Sequence, residues 1–334
     1  MARVLTLGEI MLRLSVGGGV RLADASVLAA NYGGAEANVA VSLAQFGHQA
    51  AFASVVPENA LGDGAVRHLS RFGVDCSRVL RGGARLGTYY LEEGVGARGS
   101  QATYDRAGSS FAAVDACPWD LDELFRDVDL LHISGVTPAV SSTWRVIAPE
   151  VVRGAVERGV RVSYDVNFRA KLWSWDACME VFLELLPYIS VLSAAIGDVQ
   201  GALGLERTAW DEDALADAYT RLFEAAPLLE TVYSTRRTVH SSSSNDLTGY
   251  LMARGGALAH SRTHRIEPIV DRVGGGDAFA AGVLHGVLSG WDARRTIEFG
   301  CAAGALKHTV AGDCNRFTAA EVEQFLHSGA DVAR

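Results

Sequence analysis

The sequence predicts an α/β fold with a mostly parallel central sheet covered by helices on both faces and a small β piece set apart from it. Three observations predict this. Short apolar runs alternate with amphipathic stretches of helical period along most of the chain, the rhythm of strand–helix–strand units. The 36 glycines, against 7 prolines, sit at the ends of these segments and not in low-complexity runs, as turns between helices and strands require. Between residues 86 and 106 the rhythm breaks, and polar and aromatic residues alternate instead, as in an antiparallel pair with one wet face.

Val4–Gly8 is a short apolar run closed by Gly and reads as the first buried strand. Gly33-Gly34 then precedes Val39, Ala40, Leu43, Ala44 and Phe46 at helical spacing, until Gly47 stops the segment. Ala50–Val56 reads as a strand and Leu61–Phe72 as a helix closed by Gly73. Leu86–Glu92 and Ala102–Tyr104 flank the glycine-rich turn Gly94–Gly99 as two strands. Leu130–Ser134, Val160–Asp165, Ile189–Ser193 and Thr231–Ser234 read as buried strands, with a helix over Trp144–Arg158 and an amphipathic one over Asp211–Ala225. Ala278–Leu288 and Thr296–His308 are apolar helices near the C-terminus. Arg236–Asp246, with four consecutive serines, is the least patterned stretch and reads as an exposed loop.

With 334 residues, about half hydrophobic and only 21% charged, the chain has ample material for a core and does not have the composition of a disordered one. The net charge of −9 disfavours a general nucleic-acid binder. No apolar run is long enough to span a bilayer, and Met1–Glu9 lacks the apolar region of a secretion signal, so a cytoplasmic location is expected. Cys76, Cys117, Cys178, Cys301 and Cys314 are scattered with no C-x-x-C pair, which fits reduced thiols and neither a disulfide frame nor a structural zinc site.

The segment most informative about chemistry is Asp271-Arg-Val-Gly-Gly-Gly-Asp277-Ala-Phe-Ala-Ala-Gly282. Successive glycines can turn backbone N–H groups toward one point, and the start of a helix adds positive potential, so Gly274, Gly275 and Gly276 form a candidate phosphate site. Asp277 is then oddly placed, because a carboxylate repels an anion. It is either the helix N-cap or the group that accepts a proton from a hydroxyl about to attack phosphorus.

The same segment resembles the Asp-Thr-x-Gly-Ala-Gly-Asp signature of the ribokinase-like carbohydrate kinases (the ribokinase/phosphofructokinase-B family), with Arg272 for Thr and Gly275 for Ala. Gly33-Gly34…Asn38 is similar to the N-terminal sugar-binding motif of that family. Gly33–Val39, Thr88–Glu92, Tyr104–Ala107, His132–Ala139 and Asp165–Trp173 extend the resemblance to its 2-keto-3-deoxygluconate kinases. The resemblance implies a three-layer α/β/α sandwich over residues 1–330 as one domain, with a β lid built from segments near 12–33 and 86–106. It implies transfer of the γ-phosphoryl group of ATP to the terminal C6 hydroxyl of the sugar acid, with Mg²⁺ and with Asp277 as base. Arg106 and Arg169 match positions that bind the acid sugar, Tyr89 and Tyr104 its hydroxyl-bearing walls, Gly34 and Asn38 its hydroxyl contacts, and Asp313 another substrate-side position. Tyr89 and Tyr90 should face opposite sides of their strand, so at most one lines the site. A homodimer is also an expectation of the resemblance.

The nucleotide side departs from the family pattern. Where relatives have Asn-x-x-Glu, this chain reads Ser193-Ala-Ala-Ile-Gly-Asp198, which leaves Asp198 as the candidate acid near the metal. Ser234–Ser241 replaces a glycine-rich turn, and Thr235 and Arg236 are candidate nucleotide contacts there, with Arg236 and Arg237 as either phosphate ligands or ordinary loop charges. Asn167, Ser193 and Cys301 complete the expected nucleotide side, Cys301 standing where relatives often have Asn. The alternatives are a fructokinase or ribokinase-type enzyme, for which two pocket arginines are unnecessary, and a non-catalytic sugar-acid sensor, against which Gly274–Asp277 speaks. A dinucleotide-dependent oxidoreductase would need G-x-G-x-x-G after the first strand, and Gly17-Gly-Gly19 does not have that spacing.

Overall fold

A computed structural model describes residues 1–328; the expected domain end at residue 330 lies outside them. The first strand, β1 (Arg3–Leu7), is buried from Val4 onward, which places it at the centre of a sheet covered on both sides. Its alternating side chains serve two cores: Val4 packs with Val39, Leu43 and Phe279, whereas Leu5 and Leu7 pack with Trp144, Val151 and Phe182. The chain continues through β2 (Met11–Val16), β3 (Ala29–Gly33), α1 (Ala35–Gln45), β4 (Gln49–Val56), α2 (Ala60–Ser70), β5 (Val79–Arg81), β6 (Thr88–Glu92) and β7 (Gln101–Asp105). Then come α3 (Leu121–Leu124), β8 (Leu130–Ser134), α4 (Val136–Ala139), α5 (Trp144–Glu157), β9 (Arg161–Asp165), α6 (Trp175–Leu185), β10 (Val191–Ser193), α7 (Ile196–Ala202) and α8 (Glu212–Ala225). The C-terminal part holds β11 (Thr231–Ser241), β12 (Ser244–Ala253), β13 (Ala259–His260), β14 (His264–Ile266), α9 (Gly275–Leu288), α10 (Ala293–Lys307) and α11 (Ala319–Ser328).

The large sheet has the order β13-β12-β11-β10-β9-β8-β1-β4-β5, with β14 also on β12. It is parallel from β11 through β5 and antiparallel from β11 outward. From β1 the chain first builds toward β4 and β5, then crosses to β8 on the other side. The strand order therefore reverses beside β1, and in open parallel sheets ligands bind outside the carboxyl ends of the strands at such a switch point, here those of β1 and β8. A second sheet, β3-β2-β6-β7, stands apart. Its β6–β7 pair is antiparallel as the sequence indicates, while β2 and β6 run parallel, which joins two segments distant in sequence.

One expectation is corrected. Residues 236–246 are not an open loop: β11 runs on to Ser241 and pairs antiparallel with β12, and only Ser242 and Ser243 form the turn. The outer half of β11 is exposed, but the ladder holds it to β12, whose Leu247 and Leu251 are buried in the core formed with α9 and α10. The polar composition of β11 is that of a sheet edge and not of a loop. No helix among the described residues is long and apolar enough to cross a membrane.

Candidate active site

Helix α9 begins at the glycine run. Gly274 is its N-cap, in the left-handed region at φ 79°, and a Cβ there would lie 1.7 Å from the backbone oxygen of Asp313. Only glycine fits both the dihedral and the approach. The first intrahelical bond runs from Ala278 N–H to Gly274 O at 2.9 Å, so the N–H groups of Gly275, Gly276 and Asp277 have no carbonyl behind them in the helix. Gly276 is exposed, and a Cβ there would meet nothing within 4 Å. No contact inside this chain requires glycine at that position, which leaves room for something to approach the first turn from outside.

Asp277 is the third residue of α9, not its cap. Its Oδ2 accepts a hydrogen bond from Asn38 Nδ2 at 2.7 Å. Part of its surface stays open while protein crowds the remaining sides. That burial pushes its carboxyl up to about 7, with the nearby Asp165 and Glu36 raising it further and Asn38 and Arg169 opposing. A carboxylate so poised can accept a proton near neutral pH. Asp165, at the end of β9, is likewise pushed up to about 6 by burial. Glu36, on the first turn of α1, is buried and accepts from Ser134 N–H and Oγ and from Thr137 Oγ1.

Gly34 caps α1 where a Cβ would lie 2.0 Å from the backbone oxygen of Glu9. Glu9, just past β1, is buried and holds Arg106 through Nε at 2.7 Å and through the second guanidinium nitrogen, while Ser109 Oγ donates to its other oxygen. Arg106 is thus oriented from below. Tyr89 is buried and donates its hydroxyl to Asp313, and its ring lies 5.7 Å from that of the more exposed Tyr104. Tyr90 on the opposite face is only half-buried. Asp313 is buried, with Oδ1 paired to Arg13 at 2.8 Å; Arg13 also reaches Asp271 at 2.7 Å. These buried charges tie the second sheet to the segment that leads into α9, and Val273 adds an apolar contact to Met11, Tyr89 and Leu91. Arg169 is exposed beyond β9, close enough to oppose the upward shifts of Asp165 and Asp277.

The expected nucleotide-side residues are more dispersed. Asn167 takes φ 38° and donates its N–H to Asp165 Oδ1 at 3.1 Å. Ser193 ends β10, half-buried. Asp198 lies in the first turn of α7 and accepts from Ala195 N–H at 2.8 Å; burial raises its carboxyl. Thr235 is exposed on β11, and the guanidinium of Arg236 stacks over Trp210 at 3.7 Å. Cys301 is fully buried on α10, its thiol directed to Leu247 O at 3.5 Å. Among the described residues no group of three or more His, Cys, Asp or Glu is placed to hold a metal ion.

Glu9, Glu36, Asp165 and Arg13 join the site without having been singled out in the sequence. For three of them a signal was available: Glu9 and Asp165 stand at the ends of apolar strand runs, and Glu36 lies inside the Gly33–Asn38 motif. Arg13 pairs across 300 residues, and no local pattern announces that.

Residues 1–319 match the family model for pfkB family carbohydrate kinases. The chain belongs to the pfkB family of carbohydrate kinases. Curated relatives of this kinase include the 2-dehydro-3-deoxygalactonokinase of Haloferax volcanii, 34% identical over 98% of each chain. The 2-dehydro-3-deoxygluconokinase of Bacillus subtilis is 27% identical over 92% of this chain and 90% of its own. Among solved structures, the 2-dehydro-3-deoxygluconokinase of Thermotoga maritima superposes with a TM-score of 0.93 at 36% identity, covering 98% of this kinase and 99% of that chain. A PfkB family carbohydrate kinase from Listeria grayi gives 0.92 at 40% identity, covering 97% and 99%. The fold is that of the family, and the protein is a sugar kinase.

Proposed function

We propose that this kinase transfers the γ-phosphoryl group of ATP to the terminal C6 hydroxyl of 2-keto-3-deoxygluconate, with Asp277 as the base. The observation that carries the proposal is the pairing of an open helix start at Gly274–Gly276 with a carboxylate that Asn38 orients and burial holds near neutral pH. The substrate hydroxyl oxygen forms its bond to the γ-phosphorus, the bond from phosphorus to the ADP oxygen breaks, and the hydroxyl proton passes to Asp277. The N–H groups of the first turn of α9 meet the charge on the transferred group. Arg106, steadied by Glu9, and Arg169 hold the sugar carboxylate. Tyr104 and Tyr89 wall the pocket, Gly34 and Asn38 meet sugar hydroxyls, and Asp313 braces the wall through Tyr89. The second sheet, with its segments 12–33 and 86–106, acts as the lid that keeps water from competing as acceptor.

Mg²⁺ supplies charge neutralisation on the nucleotide phosphates. A metal carried by phosphates needs only one or two protein carboxylates, which suits a site with dispersed acids, and Asp198 is the residue we assign to its side. Thr235, Ser193 and Asn167 are assigned to the nucleotide face. Arg236, engaged with Trp210, and buried Cys301 support it from outside.

A second reading differs only in the sugar epimer. The Haloferax volcanii relative is named for the galacto acid and the Bacillus subtilis and Thermotoga maritima proteins for the gluco acid. The test is ATP- and Mg²⁺-dependent ADP release with both keto-deoxy acids, fructose and ribose. Preferred turnover of the gluco acid is expected. Preference for the galacto acid selects the second reading, and preference for fructose or ribose overturns the assignment of Arg106 and Arg169.

A further inference from the structure

Behind the Asn38–Asp277 contact stand two residues that the proposed reaction does not use. Cys314 is buried, and its Sγ lies 3.3 Å from Asn38 Oδ1. His68 of α2 is nearly buried, and its Nε2 lies 3.3 Å from the same sulfur. Four groups from α2, the 313–316 segment, α1 and α9 therefore form one line, His68–Cys314–Asn38–Asp277.

The chemistry of the end group sets the direction of every proton in that line. An ionised carboxylate only accepts, so the Asn38 amide must turn its NH₂ to Asp277 and its oxygen to Cys314. That oxygen needs a donor, and the thiol has one proton to give. The imidazole then donates its Nε2–H to the sulfur, which fixes its tautomer. The other donor near Asn38 Oδ1 is Gly34 N–H at 3.5 Å, at the outer limit of a hydrogen bond. Tyr32 and Phe72 pack their rings on His68 at 5.7 and 5.5 Å and hold it in place.

We propose that Cys314 is a positioning residue for phosphoryl transfer: its thiol, itself held by His68, locks the Asn38 amide in the orientation that aims Nδ2 at Asp277. The proposal rests on the assignment of Asp277 as base. The other charged groups facing Asp277 are Asp165, Arg169 and Glu36. Those facing Cys314 are Asp313, Asp277 itself, Lys307 and Arg316, and those facing His68 are Arg71 and Arg316. None of these is altered by a substitution at Cys314. The bond from Asn38 stabilises the ionised form of Asp277. Without the thiol donor the amide oxygen keeps only the long contact from Gly34 N–H, the bond to Asp277 is held less firmly, and the carboxyl titrates at higher pH.

The test is kcat/KM against pH for the full-length enzyme and its Cys314→Ala, Cys314→Val and Cys314→Ser variants, with folding followed by thermal unfolding. In the Ala and Val variants the acidic limb is expected to move upward by roughly half to one pH unit, with kcat lowered at pH 6.5 and recovering at higher pH. Ser restores the donor and returns the limb toward wild type. Val fills the volume of the thiol, so it carries the test if Ala fails to fold. Superimposable profiles for wild type and Cys314→Val overturn the proposal, as does a Ser variant shifted as far as Val. Asp277→Asn is measured alongside. If it stays active, the base assignment fails; if it is inactive while Cys314→Val is unshifted, only the positioning role fails.

Discussion

Gly274 and Gly276 stand two residues apart in one motif, yet their environments call for opposite consequences from the same substitution. At Gly274 an alanine would have to hold φ 79°, and its Cβ would fall 1.7 Å from the backbone oxygen of Asp313. The left-handed dihedral costs about 1–2 kcal/mol for a residue with a Cβ. A clash with backbone that cannot swing away adds about 1–3 kcal/mol. Gly274→Ala should therefore lose about 3 kcal/mol of stability, with activity falling because the α9 start moves. At Gly276 a Cβ meets nothing within 4 Å, and alanine is favoured over glycine inside a helix by about 0.5–1 kcal/mol. Gly276→Ala should leave stability unchanged or slightly raised. Its methyl would nevertheless intrude on the space where we place the transferred group, and a displacement of about 1 Å there is worth roughly a hundredfold in rate. Denaturant unfolding and kcat/KM of the two variants separate the effects. A Gly276→Ala enzyme with wild-type stability and wild-type kcat/KM would refute the placement of the phosphoryl group at this turn.

Other consequences follow from the same geometry. Arg106→Met leaves Glu9 buried with its main partner gone, a loss of about 3–5 kcal/mol, and raises KM for the sugar acid. Arg169→Ala, at an exposed position, should raise the same KM with stability within about 0.5 kcal/mol of wild type; unfolding midpoints and KM values for both check the contrast. His68, His132, His264, His285 and His308 are each pushed down to about 4 by burial. Their folded values lie below the unfolded value of about 6.5, so their contribution is fully present above that pH and is lost as pH falls toward about 4. Burial also raises six carboxylates, Asp277 to about 7, Asp165 to about 6, and Glu36, Glu93, Asp198 and Asp313; these act in the opposite sense, so the effect is read one residue at a time. His132→Asn keeps an amide toward Ser163 and removes the titration, so its melting temperature should depend less steeply on pH between about 6.5 and about 4 than that of wild type; an unchanged dependence would contradict the assignment.

What the sequence made legible followed the range of the interaction. The strand–helix rhythm, the Gly33–Asn38 turn and the glycine start of α9 are local patterns, and the structure has them within a few residues of the expected bounds. The hairpin of β11 and β12 was hidden because its outer strand has no apolar face: its order comes from a ladder to β12 and not from its own side chains. Arg13, Glu9 and Cys314 were hidden for a different reason. Each acquires its role from a partner about a hundred residues away or more, Arg13 with Asp271 and Asp313, Glu9 with Arg106, Cys314 with Asn38. Burial makes such partners decisive, since an unpaired charge or amide inside the protein is costly, but nothing in the spacing of residues encodes the pairing. The question whether Asp277 caps its helix could only be settled by the backbone, which gives the cap to Gly274.

The proposed phosphoryl transfer depends on Asp277 as the proton acceptor, and Asp277→Asn removes that acceptor alone. The substitution keeps shape and removes a buried carboxylate, so the variant should fold with stability equal to or above wild type and bind the sugar acid with an affinity within a few-fold of wild type. Its kcat for ATP-dependent phosphorylation should fall by about 10²–10⁴. An Asn variant that is folded, binds the sugar acid and retains a kcat close to wild type would contradict the assignment of the base.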